Sequence, residues 1–139
     1  MKSYQTKTSK LTGTNFRQVH QKVLHIYDAI KKRTKRRVYI RSAYFKKDKI
    51  FLGLFWEHLY EKKHYKDQVR RMKYFPCALE LIRHSKIHPE SKENPNKREE
   101  ILHRFAGVTK EGDIFFVQVK ENKRNNQKYF MSVFPLGKE

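Results

Sequence analysis

What the chain lacks narrows its chemistry before anything it contains does. It has one cysteine, four prolines, five glycines and 14 acidic residues among 139. The single cysteine, Cys77, excludes an intramolecular disulfide and fits a reducing compartment. The five glycines are scattered, so neither a GxGxxG turn nor a P-loop is present to cradle a nucleotide phosphate. The carboxylates in 90–100 are interleaved with Lys and Arg. They do not supply the converging set that two-metal phosphoryl transfer needs. No CxxC or His–Glu cluster stands at ligand spacing, and His84 and His88, four apart, run into Pro89 in a loop-like stretch. No metal and no cofactor is expected. No apolar run approaches the ~20 residues of a membrane span. The opening Met-Lys-Ser-Tyr-Gln-Thr-Lys-Thr-Ser-Lys has no apolar signal core. A cytoplasmic protein without a membrane partner is expected.

What the chain has in excess is positive charge. Lys and Arg number 33, giving a net charge of +19. That surplus calls for an anionic partner: nucleic acid first, an acidic protein second, a membrane surface third. Aromatic residues make up 14%, which separates the chain from basic disordered tails, where aromatics are few. Its length suits one domain able to bury a core without staples.

Residues 1–13 are polar and basic and read as a flexible lead; 14–139 read as a single α+β domain. Thr14 can cap a helix to about Lys32, with Phe16, Val19, Val23, Ile26, Tyr27 and Ile30 at helical spacing. Val38 to Phe45 reads as a short strand or an extended connector. Asp48 opens a second expected helix, with Ile50, Phe51, Leu54, Phe55, His58 and Leu59 inward. Asp67–Tyr74 and Pro76–His84 read as two more helices, the last with proline in its first turn. Ser85 to Arg98 reads as a long loop.

Three runs rich in β-branched and aromatic residues follow, 101–109, 114–120 and 128–135, separated by Gly, Asp and Asn. They predict an antiparallel meander. The expected fold is therefore N-terminal helices packed on a three- to four-stranded antiparallel sheet. Strand alternation puts Phe115, Val117 and Val119 on one face and Phe116, Gln118 and Lys120 on the other. In the last run it sets Tyr129, Met131 and Val133 against Phe130, Ser132 and Phe134.

Metal-free acid–base chemistry on a phosphodiester remains. RNA brings its own nucleophile, the ribose hydroxyl. The protein must add a base, an acid and cations around the phosphorane. The candidates for catalysis are His84, His103, Arg104, Lys120 and Ser132, with His88, Lys92 and Tyr129 weighed beside them. Each has a plainer reading: His84 as a helix C-terminal cap, Lys120 as a strand-end charge, Ser132 as a hydroxyl bonded within the sheet. His103 and Arg104 adjoin on one strand, so only one of them faces the open side, and register decides which. Six charges in seven residues, Lys31, Lys32, Arg33, Lys35, Arg36 and Arg37, read as a phosphate-tracking patch. Lys92, Lys123, Arg124 and Lys128 join it as expected RNA contacts. Phe116, Phe130 and Phe134 can stack bases if their face is open, or form core if it is covered.

Three pieces together resemble the barnase–EndoU–colicin–RelE nuclease superfamily, closest to its phage and mobile-element branch. They are Leu-Ile-Arg-His-Ser (81–85) with Ser-Lys-Glu-Asn-Pro (91–95), Ile-Leu-His-Arg-Phe-Ala-Gly (101–107), and Phe-Val-Gln-Val-Lys (116–120) with Tyr-Phe-Met-Ser-Val-Phe (129–134). The likeness spans roughly 79–135. It implies a metal-independent endoribonuclease, a hydrolase acting on tRNA, mRNA or ribosome-bound RNA, often as a toxin with an acidic antitoxin. A non-catalytic RNA-binding module, or an interaction protein with an acidic partner, shares the charge and the aromatics without needing a catalytic face.

Overall fold

The computed structural model describes residues 2–137. Strand β1 is Tyr4–Gln5, and helix α1 is Phe16–Lys31. Two three-residue strands follow, β2 (Tyr39–Arg41) and β3 (Lys49–Phe51). Helices α2 (Gly53–Tyr60), α3 (Tyr65–Lys73) and α4 (Phe75–His84) come next. The chain closes with β4 (Glu90–Asn94), β5 (Lys97–Val108), β6 (Ile114–Asn122) and β7 (Lys128–Pro135).

The expectation of a three- to four-stranded antiparallel sheet is corrected here. The sheet has seven strands in the order β1-β5-β6-β7-β3-β2, with β4 also paired to β5. It is mixed: β1 runs parallel to β5, and β3 runs parallel to β7. The extra strands escaped sequence reading for physical reasons. Three residues are too few to show a period of two, so Ile50 and Phe51 read as the start of a helix. β4 is Glu-Ser-Lys-Glu-Asn, an edge strand exposed over most of its length. Charge on an edge discourages pairing with other chains and leaves no apolar signal. Within the expected flexible lead, Tyr4 and Gln5 sit opposite Gly107 and Val108.

The meander itself follows from local chemistry. Between β5 and β6 the chain reverses at Thr109–Asp113, where the Gly112 amide donates to the Thr109 carbonyl (2.9 Å) and Gly112 holds φ at +97°. Between β6 and β7, Asn126 takes φ of 60°, a conformation asparagine tolerates. In α1, Val19, Val23 and Ile30 are buried, and Asn15 rather than Thr14 caps the helix, accepting from the Gln18 amide at 2.9 Å.

The helices pack mainly on one face of the β5–β6–β7 meander, although α3 also sets Arg71 5.4 Å from the Phe134 ring centroid on the other. Phe55 of α2 stacks on Phe130 of β7 with centroids 5.0 Å apart, and Tyr74 stacks on Phe115 of β6 at 5.5 Å. The core joins Val19, Val23, Phe55, Leu59, Met72, Phe75 and Leu81 to Phe105, Phe115, Val117, Val119, Phe130 and Val133. A register shift in the β6–β7 ladder sets the faces. Gln118 lies opposite Ser132, but Val119 lies opposite Phe130, so Met131 is the extra residue of a bulge. Simple alternation had put Phe130 with Ser132 and Phe134. The bulge moves Phe130 into the core and brings Tyr129 round beside Lys120.

Candidate functional site

β5 and β6 pair with Leu102 opposite Lys120, His103 opposite Val119 and Arg104 opposite Gln118. Directly opposed residues share a face. Arg104, Gln118, Lys120, Tyr129 and Ser132 therefore share one side of the meander, and His103 lies on the other, the side of the main core.

The side that carries Arg104 and Lys120 has cations laid over rings. The Arg104 guanidinium lies 5.8 Å from the Phe116 centroid and 5.4 Å from that of Phe134. Lys120 Nζ is 5.4 Å from the Tyr129 ring. Arg37 extends this surface onto β3, 3.7 Å from the Phe51 centroid and 5.7 Å from that of Tyr129. Leu102, Arg104, Phe116, Gln118, Lys120 and Tyr129 remain partly exposed, whereas Ser132 and Phe134 are buried. The Ser132 hydroxyl donates to Gln118 Oε1 at 3.1 Å. Lys120 pairs with Glu100 at 3.4 Å, and Glu100 also accepts from Asn94 Nδ2 at 3.0 Å.

Two hollows open on this side. A small one of about 90 Å³ is lined by Glu90, Lys92, Leu102, Arg104 and Gln118. A larger one of about 650 Å³ lies between this surface and helices α1 and α2, with Lys31, Arg36, Arg37, Glu57, Lys120 and Tyr129 in its wall. The cationic run after α1 thus reaches the sheet through Lys31, Arg36 and Arg37, while Lys32, Arg33 and Lys35 are exposed outside the hollow. Sequence reading did not single out Glu90, Glu100, Gln118 or Phe51 as site residues. Glu90 and Lys92 come from the polar edge strand, and strand pairing alone brings them beside Arg104.

The remaining candidates go elsewhere. His103 is buried on the helix side, its Nδ1 2.7 Å from Ser91 Oγ and its Nε2 2.8 Å from Glu121 Oε1. The Phe45 ring meets it edge-on at 5.0 Å. Lys128, expected to touch RNA, is buried on the same side. Its ammonium donates to Asp48 at 2.8 Å and to the Asn126 carbonyl at 3.1 Å. His84 is exposed at the end of α4, in a hollow with Tyr4 and Glu80. Lys123 and Arg124 sit in the β6–β7 loop, paired with Glu93 at 2.6 Å and Glu99 at 3.4 Å. One face therefore gathers Arg104, Lys120, Ser132 and Lys92, and it gathers neither His84 nor His103.

Among the described residues no group of three His, Cys, Asp or Glu is placed to hold a metal ion. No described helix is long and apolar enough to cross a membrane. Cys77 is buried and its thiol is pushed up to about 11, mainly by burial, so the nucleophilic thiolate is disfavoured. No protein-family model matches the chain, and neither the curated proteins nor the solved structures give a match.

Proposed function

We propose that the chain binds single-stranded RNA across the sheet face that carries Arg104 and Lys120, and cleaves it there without a metal. The observation that supports binding is the alternation of cations and rings from Arg37 and Phe51 through Tyr129 and Lys120 to Arg104 and Phe116. Single strands need both parts: cations for phosphates and rings on which unstacked bases lie. Cleavage is assigned to the small hollow, where Glu90 stands with Lys92 and Arg104. Glu90 takes the proton of the ribose 2′-hydroxyl as that oxygen bonds to phosphorus. Arg104 and Lys92 take up the phosphorane charge. The bond to the 5′-oxygen breaks, and Lys92 returns a proton to it. The product ends in a 2′,3′-cyclic phosphate.

The test is incubation of the purified protein with single-stranded RNA in EDTA. A cyclic-phosphate product, lost in Glu90→Gln while binding persists, supports the reading. Intact RNA with steeply salt-dependent binding would instead leave a non-catalytic RNA-binding module. That second reading is favoured by one observation: the two histidines expected in the site, His84 and His103, both stand off this face. Growth arrest on expression, relieved by Glu90→Gln, would extend the enzyme reading to a toxin.

A further inference from the structure

A second cationic site lies away from this face, where the β2–β3 connection meets the end of α4. The Ala43 amide donates to the Ile82 carbonyl (3.1 Å), fixing the connection against the helix. A cleft of about 810 Å³ opens there, lined by Arg41, Lys46, Lys47, Arg83 and Lys86, with Tyr44 as its aromatic wall. That size suits a small-molecule ligand.

Every ionisable side chain in the wall except Tyr44 is a cation. Five cations line it, and no carboxylate does among the described residues. Some surface cations elsewhere are paired, Lys123 with Glu93, Arg124 with Glu99 and Lys10 with Asp113. None of the five in the cleft is in an ion pair with a described residue; Arg41 donates only to the Lys47 carbonyl, at 2.9 Å. Partial burial pulls the Arg83 pKa down, and the nearby Arg33 charge adds to that pull. Unneutralised like charges at close quarters repel.

The backbone there is also held in a costly form. Lys46 and Lys47 both have positive φ, 53° and 70°. Two successive side-chain-bearing residues in the left-handed region are disfavoured without a compensating role. The turn is closed by the Lys47 amide donating to the Ser42 carbonyl (2.7 Å) and the Ser42 amide to the Asp48 carbonyl (3.0 Å). The result sets two lysines into one cleft with three further cations. Crowded cations and an aromatic wall match a chain of linked phosphates better than the singly charged diesters of an RNA backbone.

We propose that this cleft binds a polyphosphate group, carried by a nucleoside triphosphate or by the 5′-triphosphate end of an RNA. The proposal is independent of RNA cleavage on the other face.

The first probe is inorganic tripolyphosphate, titrated calorimetrically into the full chain at 150 mM salt. One site is expected. Lys46→Gln with Lys47→Gln should weaken it at least about tenfold, and Arg83→Gln should do so separately. Lys120→Gln should leave it unchanged. Circular dichroism melts check that each variant is folded. Failure to bind, or equal loss in Lys120→Gln, would overturn the proposal by showing only diffuse attraction. A nucleoside triphosphate that competes as well as a triphosphorylated oligonucleotide assigns the free nucleotide. Preference for the triphosphorylated oligonucleotide assigns the RNA end. An oligonucleotide with a 5′-hydroxyl competing equally well would overturn the polyphosphate assignment while leaving the RNA-cleavage reading intact.

Discussion

His103 Nε2 lies 2.8 Å from Glu121 Oε1, on the helix side of the sheet, while its neighbour Arg104 points to the other side. The imidazole is saturated: Ser91 on one nitrogen, Glu121 on the other. A buried side chain with both nitrogens engaged ties β4, β5 and β6 together. His103→Ala should therefore cost about 2 kcal/mol of stability, as expected when a buried hydrogen-bonded group is removed and its partners are left behind. RNA binding by the folded variant should persist. Denaturant melts and filter binding measure the two. Binding abolished in a variant that still melts like the parent would place the nucleic-acid site on the helix side.

The same pair shows what the sequence could and could not disclose. That only one of His103 and Arg104 faces the open side followed from strand alternation. Which one it was depended on register, and register depended on the turn at Thr109–Asp113. Helix α1 was legible because Val19, Val23 and Ile30 repeat at helical spacing over about three turns. β2 and β3 were not, because three residues show no period. β4 was hidden by being polar, and with it Glu90 and Lys92 as neighbours of Arg104. The Met131 bulge shifts the frame once, and no residue type announced it. Lys128 read as one more loop cation because its partner Asp48 lies 80 positions away.

Lys120 and Lys128 are both β-sheet lysines, yet they should fail differently. Lys120 is partly exposed and shares a hollow with Arg37 and Tyr129. Lys120→Gln should leave the melting temperature nearly unchanged. It should lower the salt slope of single-stranded RNA binding by about 0.7, the value for one phosphate contact. Tyr129→Leu should weaken binding by about 1–3 kcal/mol through lost stacking, with little change in that slope. Binding isotherms over a salt series separate the two terms. A slope unchanged in Lys120→Gln would remove this face from the RNA path.

Lys128, in contrast, is buried against Asp48 and the Phe45 ring. Truncating it leaves Glu121 without a neighbour at 3.9 Å and Asp48 without its ion pair. Lys128→Ala should cost about 2 kcal/mol, less than a fully buried pair because Asp48 is half in water. The RNA salt slope should not move. Equal losses of stability in Lys120→Gln and Lys128→Ala would contradict this division.

Glu80 holds the start of the chain and makes it acid-sensitive. Its carboxylate accepts from the Tyr4 hydroxyl (2.8 Å) and from the amides of Lys7 (2.9 Å) and Thr8 (2.9 Å). Burial would raise its pKa, but hydrogen bonds from Thr8, Lys7 and Tyr4 outweigh burial and bring it below the ordinary glutamate value of 4.5. A carboxyl with a depressed folded pKa contributes stability that is fully present above its unfolded pKa. That contribution fades as pH falls through the folded value. Amide protection at Lys7 and Thr8 should therefore hold at neutral pH and drop below about pH 4.5. Glu80→Gln should show weak protection at every pH, at a cost of about 1–2 kcal/mol. Protection that survives acid in the parent protein would mean that β1 is held by its pairing with β5 alone.

Gly107 tests the packing of α4 on the sheet. It sits in β5 opposite Phe115, with Leu81 of α4 beside it. A Cβ there would overlap the Phe115 ring and lie 2.9 Å from Leu81 Cδ1. Phe115 is wholly buried and Leu81 nearly so, which leaves neither room to retreat. The obstacle is contact alone, because Gly107 has none of the left-handed strain seen at Gly112. Gly107→Ala should then cost about 1–3 kcal/mol, the usual result of forcing an extra methyl into a filled core. Gly112→Ala, with open space around it, should be penalised only through its backbone. Pairing each change with Leu81→Ala separates the two causes. The smaller side chain should recover part of the Gly107→Ala loss and none of the Gly112→Ala loss. Recovery of both, or of neither, would show that α4 does not press on β5 at this position.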